Sequence, residues 1–219
     1  MAVTVDAATA GGTYTNATSK SWTHTCAAGS VLYVSLALRI VGSGEATSIS
    51  ITYNGSAMTF VDSTVFDGVI AGTKIVTYVH TSPDSGANTV AASWTNGQTG
   101  GCGSVSFLGA DGTNGTIVEA MEASGTPSST PTVTVSSQTG DLVYSALCVT
   151  SNAAPTAGDT ERWNNGVALT CFGAASTQTG AASVDMDWST DGSFYALHGF
   201  SVVQSGAAAA ANHWLLMGV

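Results

Sequence analysis

Residues 75–107 read IVTYVHTSPDSGANTVAASWTNGQTGGCGSVSF, and residues 169–202 read LTCFGAASTQTGAASVDMDWSTDGSFYALHGFSV. The two stretches are versions of one pattern. Gly86 answers Gly180, Val90 answers Val184 and Trp94 answers Trp188, all at an offset of 94 (180 − 86, 184 − 90, 188 − 94). A one-residue slip then brings Phe107 opposite Val202. Within both stretches apolar residues alternate with polar ones, which is the period of a half-buried strand. Turn residues separate the alternating runs: Pro83-Asp84-Ser85-Gly86, Asn96-Gly97 and Gly100-Gly101 in the first copy. The pattern predicts an all-β chain made of two related halves.

The echo extends upstream. Gly29 and Tyr33 match Gly140 and Tyr144 at an offset of 111 (140 − 29, 144 − 33). Residues 31–41 place Leu32, Val34, Leu36, Leu38 and Ile40 on one face and a mixed set on the other, as in a central sandwich strand. Asn54-Gly55 between two alternating runs predicts a tight hairpin, because both turn positions require positive φ. No segment carries a sustained 3.6-residue apolar period. The expected fold is an antiparallel β-sandwich, jelly-roll or immunoglobulin-like, with short strands and frequent turns.

These signals divide the chain into an N-terminal arm (1–19), a first sandwich half (20–111), a linker (112–131), a second half (132–205) and a C-terminal segment (206–219). The arm holds at most one strand, at Val3–Val5. The linker is rich in glycine and proline, with one strand at 116–122. The C-terminal segment opens with an alanine run and ends in His213-Trp214-Leu215-Leu216-Met217. An apolar tail on a finished domain calls for cover. Either it folds back on its own sandwich or it docks on another chain. Trp214, Leu215, Leu216 and Met217 are the candidate interaction residues for docking.

Composition narrows the function. Charged residues make up only 8% of the 219-residue chain, and four basic residues stand against fourteen acidic ones for a net charge of −10. Without a basic patch, binding to nucleic acid or to an anionic membrane through phosphates is disfavoured. The first residues lack the basic and apolar regions of a secretory signal, so synthesis in a cytosol without export is expected. Cys26, Cys102, Cys148 and Cys171 are scattered in apolar strand patterns with no C-x-x-C pair, so free buried thiols are expected rather than a zinc site.

No residue set carries a catalytic signature. Asp187-Trp188-Ser189-Thr190-Asp191-Gly192 imitates half of a calcium loop, but His198 stands where the closing glutamate belongs, so a hairpin turn is the better reading. Asp185 and Asp187 share a strand face and read as a solvated face rather than a glycosidase pair. His24, His80, His198 and His213 lack partners at metal-ligand spacing. Trp163 is the best aromatic for stacking on a sugar. No cofactor is expected, and the chain reads as a non-enzyme.

SWTHT (21–25), SVLYVSLAL (30–38), ITYNGSAMT (51–59), GSVSFLGAD (103–111), TGDLVYSAL (139–147), DTERWNN (159–165) and TGAASVDMDWS (179–189) together resemble a group of β-sandwich proteins. These occur in tailed-phage virions and as modules of bacterial surface proteins. The group often has Asn-Arg where this chain has Gly29-Ser30. The resemblance implies a structural virion protein, foremost a capsid decoration (cement) protein present in repeated copies and bound to the major capsid protein or another virion protein. A tail-fibre component, or a carbohydrate-binding adhesin module recognising a surface glycan, is the alternative. The resemblance brings no catalytic residue with it.

Overall fold

The computed structural model describes residues 1–40, 44–67, 72–121, 127–167 and 170–206. Among these residues there are strands and turns and no helix. The first set of strands is β1 (Thr4–Cys26), β2 (Val31–Ile40), β3 (Ser50–Tyr53), β4 (Ser56–Ala57), β5 (Thr59–Phe66), β6 (Gly72–His80) and β7 (Gly86–Leu108). The second is β8 (Ala110–Met121), β9 (Thr132–Val135), β10 (Leu142–Val149), β11 (Thr156–Ala157), β12 (Thr160–Val167), β13 (Cys171–Thr179), β14 (Val184–Ser189) and β15 (Tyr195–Gln204).

Every pairing is antiparallel, and the two sets pair in the same way. In the first, β2 lies between β6 and β7, β5 flanks β6, and β3 flanks β7, with β1 along the other side of β7. In the second, β10 lies between β13 and β15, β12 flanks β13, and β14 lies between β11 and β9, with β8 beside β15. The long strand β7 thus takes the place that β14 and β15 share. Val31 pairs with Phe107 and Leu142 with Val202, so Phe107 and Val202 occupy the same step of the scheme. Trp94 on β7 and Trp188 on β14 are both buried, 5% and 1% exposed.

The strands form three sheets, of seven, five and three strands, enclosing three cores. The first core lies within the first set: Leu32, Leu36 and Leu38 of β2 meet Ile51 and Tyr53 of β3 and Trp94 of β7. The third lies within the second set and gathers Leu147, Phe172, Met186, Trp188 and Leu197. Between them lies a core shared by both sets, with Tyr33, Ile75 and Phe107 on one side and Tyr144, Trp163 and Phe200 on the other. Tyr33 and Tyr144 stack across it with ring centroids 6.1 Å apart. Each large apolar side chain so buried contributes roughly 1.5–3 kcal/mol.

The molecule is therefore a pair of sandwiches stacked face to face. Both faces of β2, the apolar one and the mixed one, are buried from Val31 to Leu38. Ser35, Tyr33 and Ala37 on the mixed face meet the second set instead of water. The stacking relies on small residues. A Cβ on Gly103 would run into the Trp163 indole, one on Gly101 into the Asn165 backbone, and one on Gly173 would come within 2.6 Å of the Ala37 side chain. The Asn165 amide also ties the sets together. Its Oδ1 accepts from the Cys102 N–H at 3.0 Å, and its Nδ2 donates to the Cys102 carbonyl at 2.8 Å. The bulge in β1 between Ala10 and Gly12 lies opposite this point, where the ladder is irregular.

Two boundaries differ from the sequence-based expectation. The arm 1–19 belongs to β1, a continuous strand paired with β7 along its length. Its residues are mostly small and polar because it is an edge strand. Backbone hydrogen bonds hold it, rather than an apolar stripe. The linker 112–131 likewise contains most of β8, an edge strand on β15. The Asn54-Gly55 hairpin is present, with φ of 49° and 80° joining β3 to β4. After two residues, however, the chain leaves that layer and continues as β5 beside β6. Asn96, at φ 63°, lies within β7 and does not end it.

Candidate functional site

The side chains with the most chemical potential are held inside the fold. His24 is 1% exposed on β1. Its Nδ1 lies 2.9 Å from Thr9 Oγ1 and 3.0 Å from Ser104 Oγ, and its Nε2 lies 3.1 Å from Ser106 Oγ. Ser106 in turn donates to Asp6 Oδ2 at 2.8 Å. The serine stands between histidine and carboxylate, so the order is not that of a nucleophile, base and orienting acid. Burial pulls His24 down to about 4, with the Asp6 charge opposing it, so the ring is neutral near pH 7.

A second network crosses the shared core. His198 Nε2 lies 2.8 Å from Thr77 Oγ1, which lies 2.8 Å from Ser35 Oγ, which lies 2.8 Å from the Tyr144 hydroxyl. Burial lowers His198 to about 4 and raises Tyr144 to about 12. At the outer end, Asp62 pairs across β6 with Thr77, and Glu119 pairs across β15 with His198. Glu119 is raised by burial and then by the Asp62 charge and hydrogen bond. These are two carboxyl groups meeting where the edges of the two inner sheets approach.

The sequence-predicted residues fare differently. Trp214, Leu215, Leu216 and Met217 lie outside the described residues, as does His213. The described chain ends at Gly206, immediately after Ser205, whose carbonyl accepts from the Met1 amino group at 3.3 Å. Trp163, expected to be open to a sugar ring, is 3% exposed and packed in the shared core, so it offers no platform. The reason is that Gly103 of β7 and Gly173 of β13 leave room for the indole between the sets.

Asp185 and Asp187 alternate outward on β14 and accept from Thr134 Oγ1 at 2.6 Å and Thr132 Oγ1 at 2.8 Å on β9. They are a solvated strand face. Asp191 accepts from the Asn152 N–H at 2.8 Å and from the Ser193 hydroxyl, while Gly192 takes φ 82°. Asp187 and Asp191 thus serve different partners on either side of a turn. No cluster of three or more His, Cys, Asp or Glu able to hold a metal occurs among the described residues. All four cysteines are free and buried.

The surface offers shallow depressions. One, of about 270 Å³, is lined by Thr47, Ser48, Ile49, Phe60, Lys74 and Tyr78 among others. Phe60 is 52% exposed and meets Tyr78 edge-on at 5.6 Å. Lys74 Nζ bonds Glu45 at 2.6 Å on its rim. Sequence reasoning passed over Phe60, because alternation placed it within a strand without telling that the strand lies at an edge.

No protein-family model matches the chain, and no curated protein or solved structure matches it.

Proposed function

We propose that this chain is a non-enzymatic structural protein of a tailed-phage virion, and specifically a capsid decoration protein seated on the outer surface of the head. The observation that carries the reading is the fate of the reactive side chains. His24, His198 and all four cysteines are built into buried packing and hydroxyl networks. Such a chain spends its polar chemistry on rigidity. The stacked sheets suit a protein that must hold its shape on a particle. A surface poor in charge also loses little ion hydration when covered by the major capsid protein or a neighbouring copy.

The apolar tail supplies the contact in this reading. Trp214, Leu215, Leu216 and Met217 are the large apolar side chains that would be buried against the partner. Protein analysis of purified particles, with antibody labelling of heads and tails in the electron microscope, tests the proposal. Labelling of heads at a fixed copy number supports it. Absence from particles removes it, and labelling of tails only moves the protein to the tail-fibre alternative.

The adhesin alternative has one observation in its favour, the half-exposed Phe60 beside Tyr78 and a ring of hydroxyls. An aromatic face flanked by polar groups is the usual way a pyranose is held. Retention on a glycan array that Phe60→Ser abolishes would support that reading, and no retention would remove it.

A further inference from the structure

Cys148 and Cys171 are the one pair of thiols on the described chain whose sulfurs meet: their Sγ atoms lie 3.3 Å apart. Cys148 is on β10 and Cys171 on the neighbouring β13, but they are not direct cross-strand partners. Cys148 pairs with Gly173, and Cys171 is two residues further along. Such diagonal neighbours commonly stand about 7–8 Å apart at the backbone, usually too far for two short side chains to touch. Here the glycine decides the matter. Gly173 places no side chain beside Cys148, and the space is kept narrow by Ala37, the Gly101 carbonyl and Trp163 packed against it. The Cys171 side chain, two residues along the same strand, meets Cys148 through its sulfur. Both residues are 0% exposed in the shared core.

We propose that Cys148 and Cys171 form an intramolecular disulfide when the chain folds in, or is opened under, oxidising conditions. The cross-link would fasten β10 to β13 in the inner layer of the second sandwich and enclose β11 and β12 in its loop. Bond formation must bring the two sulfurs from 3.3 Å to the bonded distance of about 2.05 Å. With a small disulfide such as oxidised glutathione as oxidant, one cysteine thiolate attacks it and releases a glutathione thiolate. The second cysteine thiolate then attacks the mixed disulfide and releases the second. Two cysteine thiols are oxidised, one glutathione disulfide is reduced to two thiols, and the two protons pass to the departing thiolates.

Burial sets when this happens. It raises the Cys148 thiol well above its ordinary value, and Cys171 beside it adds to the shift. A buried neutral thiol is a poor nucleophile, and the native core admits no tripeptide. The reduced folded protein therefore stays reduced, and the bond forms while the inner layers are still open. Cys26 and Cys102 remain as thiols. The Cys102 sulfur lies 3.5 Å from the Gly12 carbonyl of β1, and Cys26 sits in the core of the first set.

The test is refolding of the full chain from denaturant, once in reduced glutathione and once in a glutathione redox buffer, followed by thiol titration in denaturant and peptide mapping. The expected result is four titratable thiols after reducing refolding and two after oxidising refolding, with the Cys148 peptide joined to the Cys171 peptide. The variants Cys148→Ala and Cys171→Ala should each keep all three remaining thiols in the oxidising buffer. Four thiols after oxidising refolding of the wild type would overturn the proposal. So would a bond involving Cys26 or Cys102, or a stable glutathione adduct on Cys148. The wild-type mapping stands by itself should either variant fail to fold.

Discussion

His198 Nε2 lies 2.8 Å from Thr77 Oγ1, a hydrogen bond that joins the inner sheet of one sandwich to the inner sheet of the other. The imidazole is fully buried there and can make the contact as a neutral ring. Protonation would place a cation in the shared core, beside Thr77 and Ser35, where burial disfavours it more than the Asp62 charge favours it. The stacking of the two sandwiches is thereby tied to the charge of one side chain.

Stability should consequently fall in weak acid. His198 and His24 are both lowered from 6.5 to about 4. A group with a depressed folded value contributes stability above its unfolded value and loses it as pH falls through the folded one. The loss runs from about pH 6.5 down to about pH 4 and amounts to on the order of 3 kcal/mol per ring. Urea midpoints measured across that window should drop. In His198→Gln, which keeps a hydrogen-bonding group and does not titrate, the drop should be shallower. An unchanged slope in the variant would show that His198 is not the group responsible.

Glu119 works in the opposite direction. Its folded value is raised, so its contribution is present in acid and is lost as pH rises through that value. Near neutrality Glu119 and Asp62 repel across the meeting edges. Glu119→Gln should raise the melting temperature at pH 7 and leave it unchanged, or slightly lower, at pH 4. Thermal melts at the two pH values check this, and an equal change at both would sink it.

The close approach of the two sandwiches should be intolerant of added volume. A methyl group on Gly103 meets the Trp163 ring. Gly103→Ala should cost about 1–3 kcal/mol by overpacking, read as a lower denaturation midpoint. Phe60→Ser, at a side chain 52% exposed, should stay within about 0.5 kcal/mol of the wild type. Comparable losses at both positions would mean that the seam is not tightly packed.

Removal of residues 207–219 should leave the described fold intact. β15 ends at Gln204, and its last turn is held by the Ser205 N–H to the Gly109 carbonyl at 2.6 Å and by Met1. A chain ending at Gly206 should show the near-ultraviolet circular dichroism and melting temperature of the full chain while losing attachment to particles. Unfolding of the truncated chain would show that Trp214–Met217 docks on its own sandwich. Undiminished attachment would remove the tail as an anchor.

The sequence by itself determined the all-β class, the strand alternation and the Asn54-Gly55 hairpin, because each is a local property of the chain. Alternation separates two faces of a strand; what covers each face is a matter of packing. Ser35 and Tyr33 on β2 read as the mixed face of a central strand, and only the stacking of a second sandwich buries them. Trp163 stood out as the aromatic to stack on a sugar, yet glycines at 103 and 173 make room for its ring between the sets. β1 and β8 were missed as long strands because edge strands are held by backbone hydrogen bonds that any side chain permits. The 3.3 Å meeting of Cys148 and Cys171 was equally hidden. It depends on a glycine pairing opposite Cys148, a relation of register between strands that no spacing along the chain records.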